Sequence, residues 1–193
     1  MAVPPPSPDP AKVALRALLR ARRAAYVATI GAQAAKTAAQ AAANLLLPHI
    51  PEGATVSLYL AMRDEIDPAP LLDMLHHRGH AIALPTLIDR TTMRFLVWVP
   101  GDAIEHGPMN LRQPGLSARE LAPDLIVTPL TGFDRHGGRI GYGAGHYDRA
   151  FQRYPGAHRI GLAWAMQEVE EVPCDPWDVR LHAVVTEKEF VRI

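Results

Sequence analysis

The stretch Gly138 to Phe151, GRIGYGAGHYDRAF, sets four glycines beside two arginines, two tyrosines and an aspartate. Glycine costs backbone entropy wherever it is ordered, so such a cluster needs either a sharp turn or close approach of another group. Gly141, Gly143 and Gly145 alternate just before a helix-like run. No Gly-Lys-Ser/Thr follows, and the spacing is not G-x-G-x-x-G, so neither common nucleotide fingerprint is present. The general chemistry of a glycine loop opening a helix still applies. Exposed N–H groups and the positive end of the helix dipole receive phosphate oxygens. Arg139 adds a charge-assisted donor, and Asp148 is the residue type that holds a divalent cation against those oxygens. A bare strand-to-helix turn is the simpler alternative, but the flanking Arg and Asp favour a phosphate site.

Other chemistry-bearing residues are more ambiguous. Lys12 and Arg16 are four apart and share one helix face. On sequence alone, that face reads more simply as solvated. In RDEID, residues 63–67, Glu65 follows an apolar run and is placed to fix a ligand's N–H groups; a plain polar loop is the simpler reading. His76 and His80 have metal-pair spacing, but Gly79 intervenes and no third ligand is near, so no zinc site is expected. Trp98, Trp164 and Trp177 read as core or cleft wall. Cys174 has no activating partner.

These residues must be positioned by the surrounding elements. Residues 10–30 place Val13, Leu15, Leu18 and Leu19 among arginines, an amphipathic helix. The alanine-rich run that follows, stopped by Pro48 and Pro51, predicts a second helix. Strands are predicted at 54–61, in AIALPTL, at 93–100, in PDLIVTP, in HRIGLAW and in HAVVTEKEFVRI. A helix is predicted ending near Gly79, and another over 146–154. Residues 101–123 lack a clear period and read as a long loop. Strands alternate with helices and several are almost continuously apolar, which predicts an α/β chain with a mostly parallel sheet covered on both faces. Ligands gather at the carboxyl ends of such strands.

With 193 residues, the chain suits a single domain over 11–193. MAVPPPSPDP has five prolines and predicts an extended, disordered tail over 1–10; it has neither the charged start nor the apolar core of a signal peptide. Acidic and basic residues balance at 20 each, which gives nucleic-acid binding no support. No apolar run reaches transmembrane length, and one cysteine fits a reducing compartment. The expectation is a cytoplasmic monomer acting on small molecules, with neither nucleic acid nor membrane as partner.

The block PDLIVTPLTGFDRHGGRIGYGAGHYDRAF resembles the signature of the 5-formyltetrahydrofolate cyclo-ligase family. The likeness continues through AKVALRALLRARR, LYLAMRDEID, GHAIALPTL and GLAWAMQEVEEVPCDPWDVRLHAVVTE. It implies a three-layer α/β/α sandwich and ATP- and magnesium-dependent closure of 5-formyltetrahydrofolate to 5,10-methenyltetrahydrofolate. It also implies site residues. Lys12 and Arg16 match ATP contacts. Arg139, Ile140, Gly141, Tyr142, Gly143, Ala144, Gly145, His146 and Tyr147 match the nucleotide loop, with Arg139 and Tyr147 catalytic. Tyr142 to His146 also face the folate, together with Leu60 and Glu65. Asp148 and Asp178 match the magnesium site.

Three positions depart from the family pattern. His146 replaces a tyrosine, His182 stands where many relatives carry an acid, and Met109 occupies the place of an aromatic folate contact. A related ATP-binding protein with another substrate, or a folate-binding role only, is the alternative. A non-enzymatic docking domain leaves the glycine loop unexplained.

Overall fold

The computed structural model describes residues 9–193. Most of the expected tail therefore lies outside the described residues, while Asp9 and Pro10 open the first helix. Asp9 caps it by accepting from Ala11 N–H at 2.9 Å, and Pro10 takes the first helical position, where a missing N–H costs nothing. Helix α1 spans Pro10–Leu46, and its 37 residues are interrupted at Gly31, where φ is 75° and ψ is 169°. The two predicted helices thus meet at one glycine. The second half ends at Leu46, before a short turn carrying Pro48.

The main sheet contains β1 (Val56–Ser57), β2 (Ile82–Leu87), β3 (Met93–Val97), β6 (Leu125–Pro129), β9 (His158–Leu162), β10 (Ala183–Val185) and β11 (Phe190–Arg192). Its order is β11-β10-β9-β6-β1-β2-β3. Neighbours from β10 to β2 are parallel; β11 and β3 pair antiparallel at the edges.

Alternation along the strands fills two cores. Ile82 and Leu84, Leu125 and Val127, and Ala183 and Val185 face α1 and α2 (Ala69–His77). Their neighbours Ala83, Ile126 and Val184 face the opposite layer, which includes α3 (His146–Arg153) through Ala150 and Phe151. Burial on both faces explains the continuous apolar strands. The result is the expected α/β/α arrangement around a mostly parallel sheet.

Three local expectations are corrected. The 54–61 strand contracts to Val56–Ser57; Leu58 and Tyr59 stay buried beyond it, and Tyr59 Oη closes the following loop by donating to the Ile66 carbonyl at 2.7 Å. Residues 101–123 contain an antiparallel hairpin, β4 (Ile104–His106) with β5 (Arg112–Pro114). Its strands are too short and polar to show a period. Buried Gln113 docks it, accepting from Leu87 N–H at 2.9 Å and donating to the Leu87 carbonyl at 3.3 Å. A second hairpin, β7 (Gly132–Phe133) with β8 (Arg139–Ile140), leads into the glycine loop. Of the tryptophans, Trp164 is core and Trp98 packs against it, whereas Trp177 is exposed.

Candidate active site

The chain passes from β1 to β2 on one side and later returns through β6 on the other. This reversal makes the carboxyl ends of β1 and β6 the usual place for a ligand in an open α/β sheet. The loop after β1 carries Glu65; the segment after β6 carries Leu130 and leads to the glycine loop.

Glu65 is only 7% exposed. Its Oε1 accepts from the Tyr142 hydroxyl at 2.6 Å and its Oε2 from Met62 N–H at 2.8 Å. Burial pushes its pKa above the ordinary carboxylate value, although Tyr142, the Met62 N–H and Arg23 pull the other way. Burial and the neighbouring Glu65 push Tyr142 up to about 12. The loop is held tightly. Trp164 Nε1 donates to the Asp64 carbonyl at 2.9 Å, and Arg63 adopts a left-handed φ of 56° at the turn. Leu60, half-buried, packs on the core beside it.

The glycine loop lies along α1. Arg16 Nε donates to the Gly141 carbonyl at 2.8 Å. At Gly143, φ is 99°, and a Cβ would lie 3.3 Å from the Arg16 guanidinium carbon, so both conformation and contact call for glycine. Gly145, at φ 67°, starts α3 without a side-chain cap, which leaves the first N–H groups of that helix available. The Arg20 guanidinium covers the Tyr142 ring at 4.6 Å. Burial and Arg149 lower the His146 pKa. Tyr147 packs near Phe151, and burial together with the charge of Glu65 raises its phenol well above the ordinary value.

At the other end of the α1 face, Lys12 is 8% exposed, not solvated. Its Nζ meets Asp175 Oδ2 at 2.5 Å and also pairs with Asp178. Burial opposes the Lys12 charge, but hydrogen bonds to the two aspartates outweigh it and raise its pKa. Arg139 Nη2 donates to Asp148 Oδ1 at 2.6 Å, and the same oxygen accepts from Val179 N–H at 3.2 Å. Asp148 is thereby brought beside the Asp178 segment. Among the described residues, no group of three or more potential ligands forms a metal cage. His80 Nδ1 lies 3.0 Å from the Ala54 carbonyl, beyond the end of α2 that carries His76.

Of the departing positions, His146 opens α3 directly after the glycine loop. Met109 is 64% exposed on the β4–β5 hairpin. His182 precedes β10, where its Nδ1 accepts from Arg159 N–H at 3.1 Å. Sequence reasoning did not single out Arg20, Arg23, Asp64 or Asp175. The spacing Lys12, Arg16, Arg20, Arg23 carries a signal, since steps of four, four and three keep one helix face.

A model of the 5-formyltetrahydrofolate cyclo-ligase family matches residues 8–187. The chain is 33% identical over 156 residues to the 5-formyltetrahydrofolate cyclo-ligase of Escherichia coli, covering 76% of this chain and 86% of that one. It is 30% identical over 179 residues to the Haemophilus influenzae enzyme of the same name, covering 89% and 95%. The solution structure of Aquifex aeolicus 5,10-methenyltetrahydrofolate synthetase superposes with a TM-score of 0.78 at 25% identity, over 94% of this chain and 92% of that one. The match across nearly the whole chain, in sequence and in fold, makes this protein a member of the 5-formyltetrahydrofolate cyclo-ligase family.

Proposed function

We propose that the protein closes 5-formyltetrahydrofolate to 5,10-methenyltetrahydrofolate, consuming ATP and releasing ADP and phosphate, with magnesium at the phosphates. The observation that carries this reading is the position of the glycine loop. It runs along the basic face of α1, from the Glu65–Tyr142 pair to the Lys12, Arg139, Asp148 and Asp178 cluster. Two ligands of different chemistry fit the two ends.

A formamide oxygen is a poor leaving group, and phosphorylation cures that defect. In the proposed sequence the formyl oxygen attacks the γ-phosphorus and ADP leaves. N10 then attacks the activated formyl carbon, the ring closes as N10 gives up its proton to solvent, and phosphate departs with the former formyl oxygen. The protein's contribution is placement and charge neutralisation. Glu65 has lone pairs beyond its two hydrogen bonds and accepts pterin N–H groups. The first N–H groups of α3, with Arg139, Arg16 and Lys12, face the phosphates. Tyr147 stays protonated and offers a neutral donor. At Gly141 the space a Cβ would fill contains only the Arg139 side chain, at 3.8 Å, which leaves room for a ligand against the backbone.

The donor set fits magnesium. Asp148 and Asp178 are hard oxygen donors, and this ion usually takes one or two protein carboxylates, with phosphates and water completing its shell. When bound, it neutralises charge on the transferring phosphoryl group.

The test follows methenyltetrahydrofolate by absorbance with 5-formyltetrahydrofolate, ATP and magnesium, then omits ATP or magnesium. Product should require both. Product formed without ATP, or no product in the complete mixture, overturns the proposal.

A further inference from the structure

Arg23 has no role in the scheme above, yet it is 2% exposed and among the largest fully buried side chains. A buried guanidinium is costly unless paired and hydrogen-bonded, so its partners define its use. Its Nε donates to Asp64 Oδ2 at 2.6 Å, its Nη1 to the Leu130 carbonyl at 3.1 Å, and its Nη2 to the Tyr142 hydroxyl oxygen at 3.1 Å. One side chain on α1 therefore clamps the loop after β1, the segment after β6 and the glycine loop.

The contact with Tyr142 has a direction. Guanidinium donates and never accepts, so it engages the hydroxyl oxygen and leaves the hydroxyl proton to point elsewhere. That proton goes to Glu65 Oε1 at 2.6 Å. Among the described residues Asp64 is the ion-pair partner of Arg23, so the arm on Tyr142 is additional. We infer that Arg23 is a positioning residue: it aims the Tyr142 hydroxyl proton at Glu65 Oε1 and so, with Met62 N–H on the other oxygen, fixes the orientation of the carboxylate and the face left for the substrate. This rests on the folate role proposed for Glu65.

Several groups face that carboxylate. Arg23 does so from α1, Tyr142 from the glycine loop, Tyr59 from the segment after β1, Tyr147 from α3 and Asp64 from its own loop. Arg23 carries the one positive charge among these groups. Lys12 lies eleven residues away on the same helix, roughly 16 Å at the helical rise, so the phosphate end is out of its direct reach.

Arg23→Met, Tyr142→Phe and the double variant test the inference with two readouts. In the free protein, carbon-13 NMR follows the titration of the Glu65 carboxyl. Each single substitution should move its midpoint to higher pH. In steady-state kinetics, each should raise KM for 5-formyltetrahydrofolate by about tenfold or more, with KM for ATP changed by less than about twofold. The double variant should be no worse than the weaker single, since both break one chain. An unmoved Glu65 midpoint, or equal rises in both KM values that add in the double variant, overturns the inference. Should Arg23→Met fail to fold, Tyr142→Phe carries the same test with the Arg23–Asp64 pair intact. A wild-type protein inactive on 5-formyltetrahydrofolate overturns the substrate reading instead, because the titration needs no substrate.

Discussion

Glu65 is buried with one hydrogen bond to each oxygen, and burial still wins, so it holds its proton more tightly in the folded protein than in the unfolded chain. The linkage follows from that direction. The folded state holds its proton to higher pH than the unfolded chain, so stability is fully present below the ordinary carboxyl pKa and is lost as pH rises through the folded value. Glu65→Gln cannot ionise. Wild type should therefore lose stability relative to this variant as pH rises from about 4 to neutrality, whatever the constant offset between them. Urea denaturation of both proteins across that range checks the slope, and a flat difference refutes it. At Asp148, Asp148→Asn removes the counter-charge of a mostly buried Arg139. A stability loss of about 1.5–3 kcal/mol is expected from weakening a charged hydrogen bond. If the carboxylate also serves magnesium, half-maximal activity should need severalfold more of the ion. Lowered melting with unchanged magnesium dependence would leave Asp148 only as the anchor of Arg139.

Helix α1 gains its reach by breaking once. Gly31 lies in a region of backbone space that is essentially glycine's own, and a Cβ there meets nothing within 4 Å. Gly31→Ala therefore isolates backbone strain from packing. It should cost about 1–3 kcal/mol although alanine is the best helix former. A urea midpoint that rises instead would mean the two halves straighten into one rod. The same helix shows why the site was only partly legible. The four-residue step from Lys12 to Arg16 is visible in the sequence, but their partners Asp175, Asp178 and Gly141 lie more than a hundred residues away. Asp64, the partner of Arg23, is 41 residues distant. Local pattern reports a basic face and says nothing of what covers it, so a solvated face is the natural reading for a Lys12 that is in fact buried and an Arg16 that is half-buried.

Across the molecule, the parallel sheet was legible because strands buried on both faces must be apolar throughout. The hairpins were not, since two- and three-residue strands have no room for a period. The β4–β5 hairpin depends on a long-range polar contact that only the folded chain reveals. Gln113→Ala leaves the buried Leu87 N–H and carbonyl without their partner. It should cost about 1–3 kcal/mol and speed hydrogen exchange over 104–114 more than in the main sheet. Exchange that quickens equally everywhere would make Gln113 a global rather than a local fastener. Among the described residues, no helix is long and apolar enough to cross a membrane.

The ion pairs of Lys12 and Arg139 have a consequence for the order of events. Both carboxylates proposed to hold magnesium already have cationic partners inside the protein. A free magnesium ion must take Asp148 from the Arg139 guanidinium and leave Lys12 with only one of its two aspartates, whereas a nucleotide offers those cations new oxygens. Metal and nucleotide should therefore arrive as one ligand. Titration calorimetry should show little heat with magnesium chloride alone and a clear isotherm with magnesium–ATP; strong binding of the bare ion would contradict this. In the proposed scheme the free enzyme keeps its charges on one another until incoming phosphates trade partners with them.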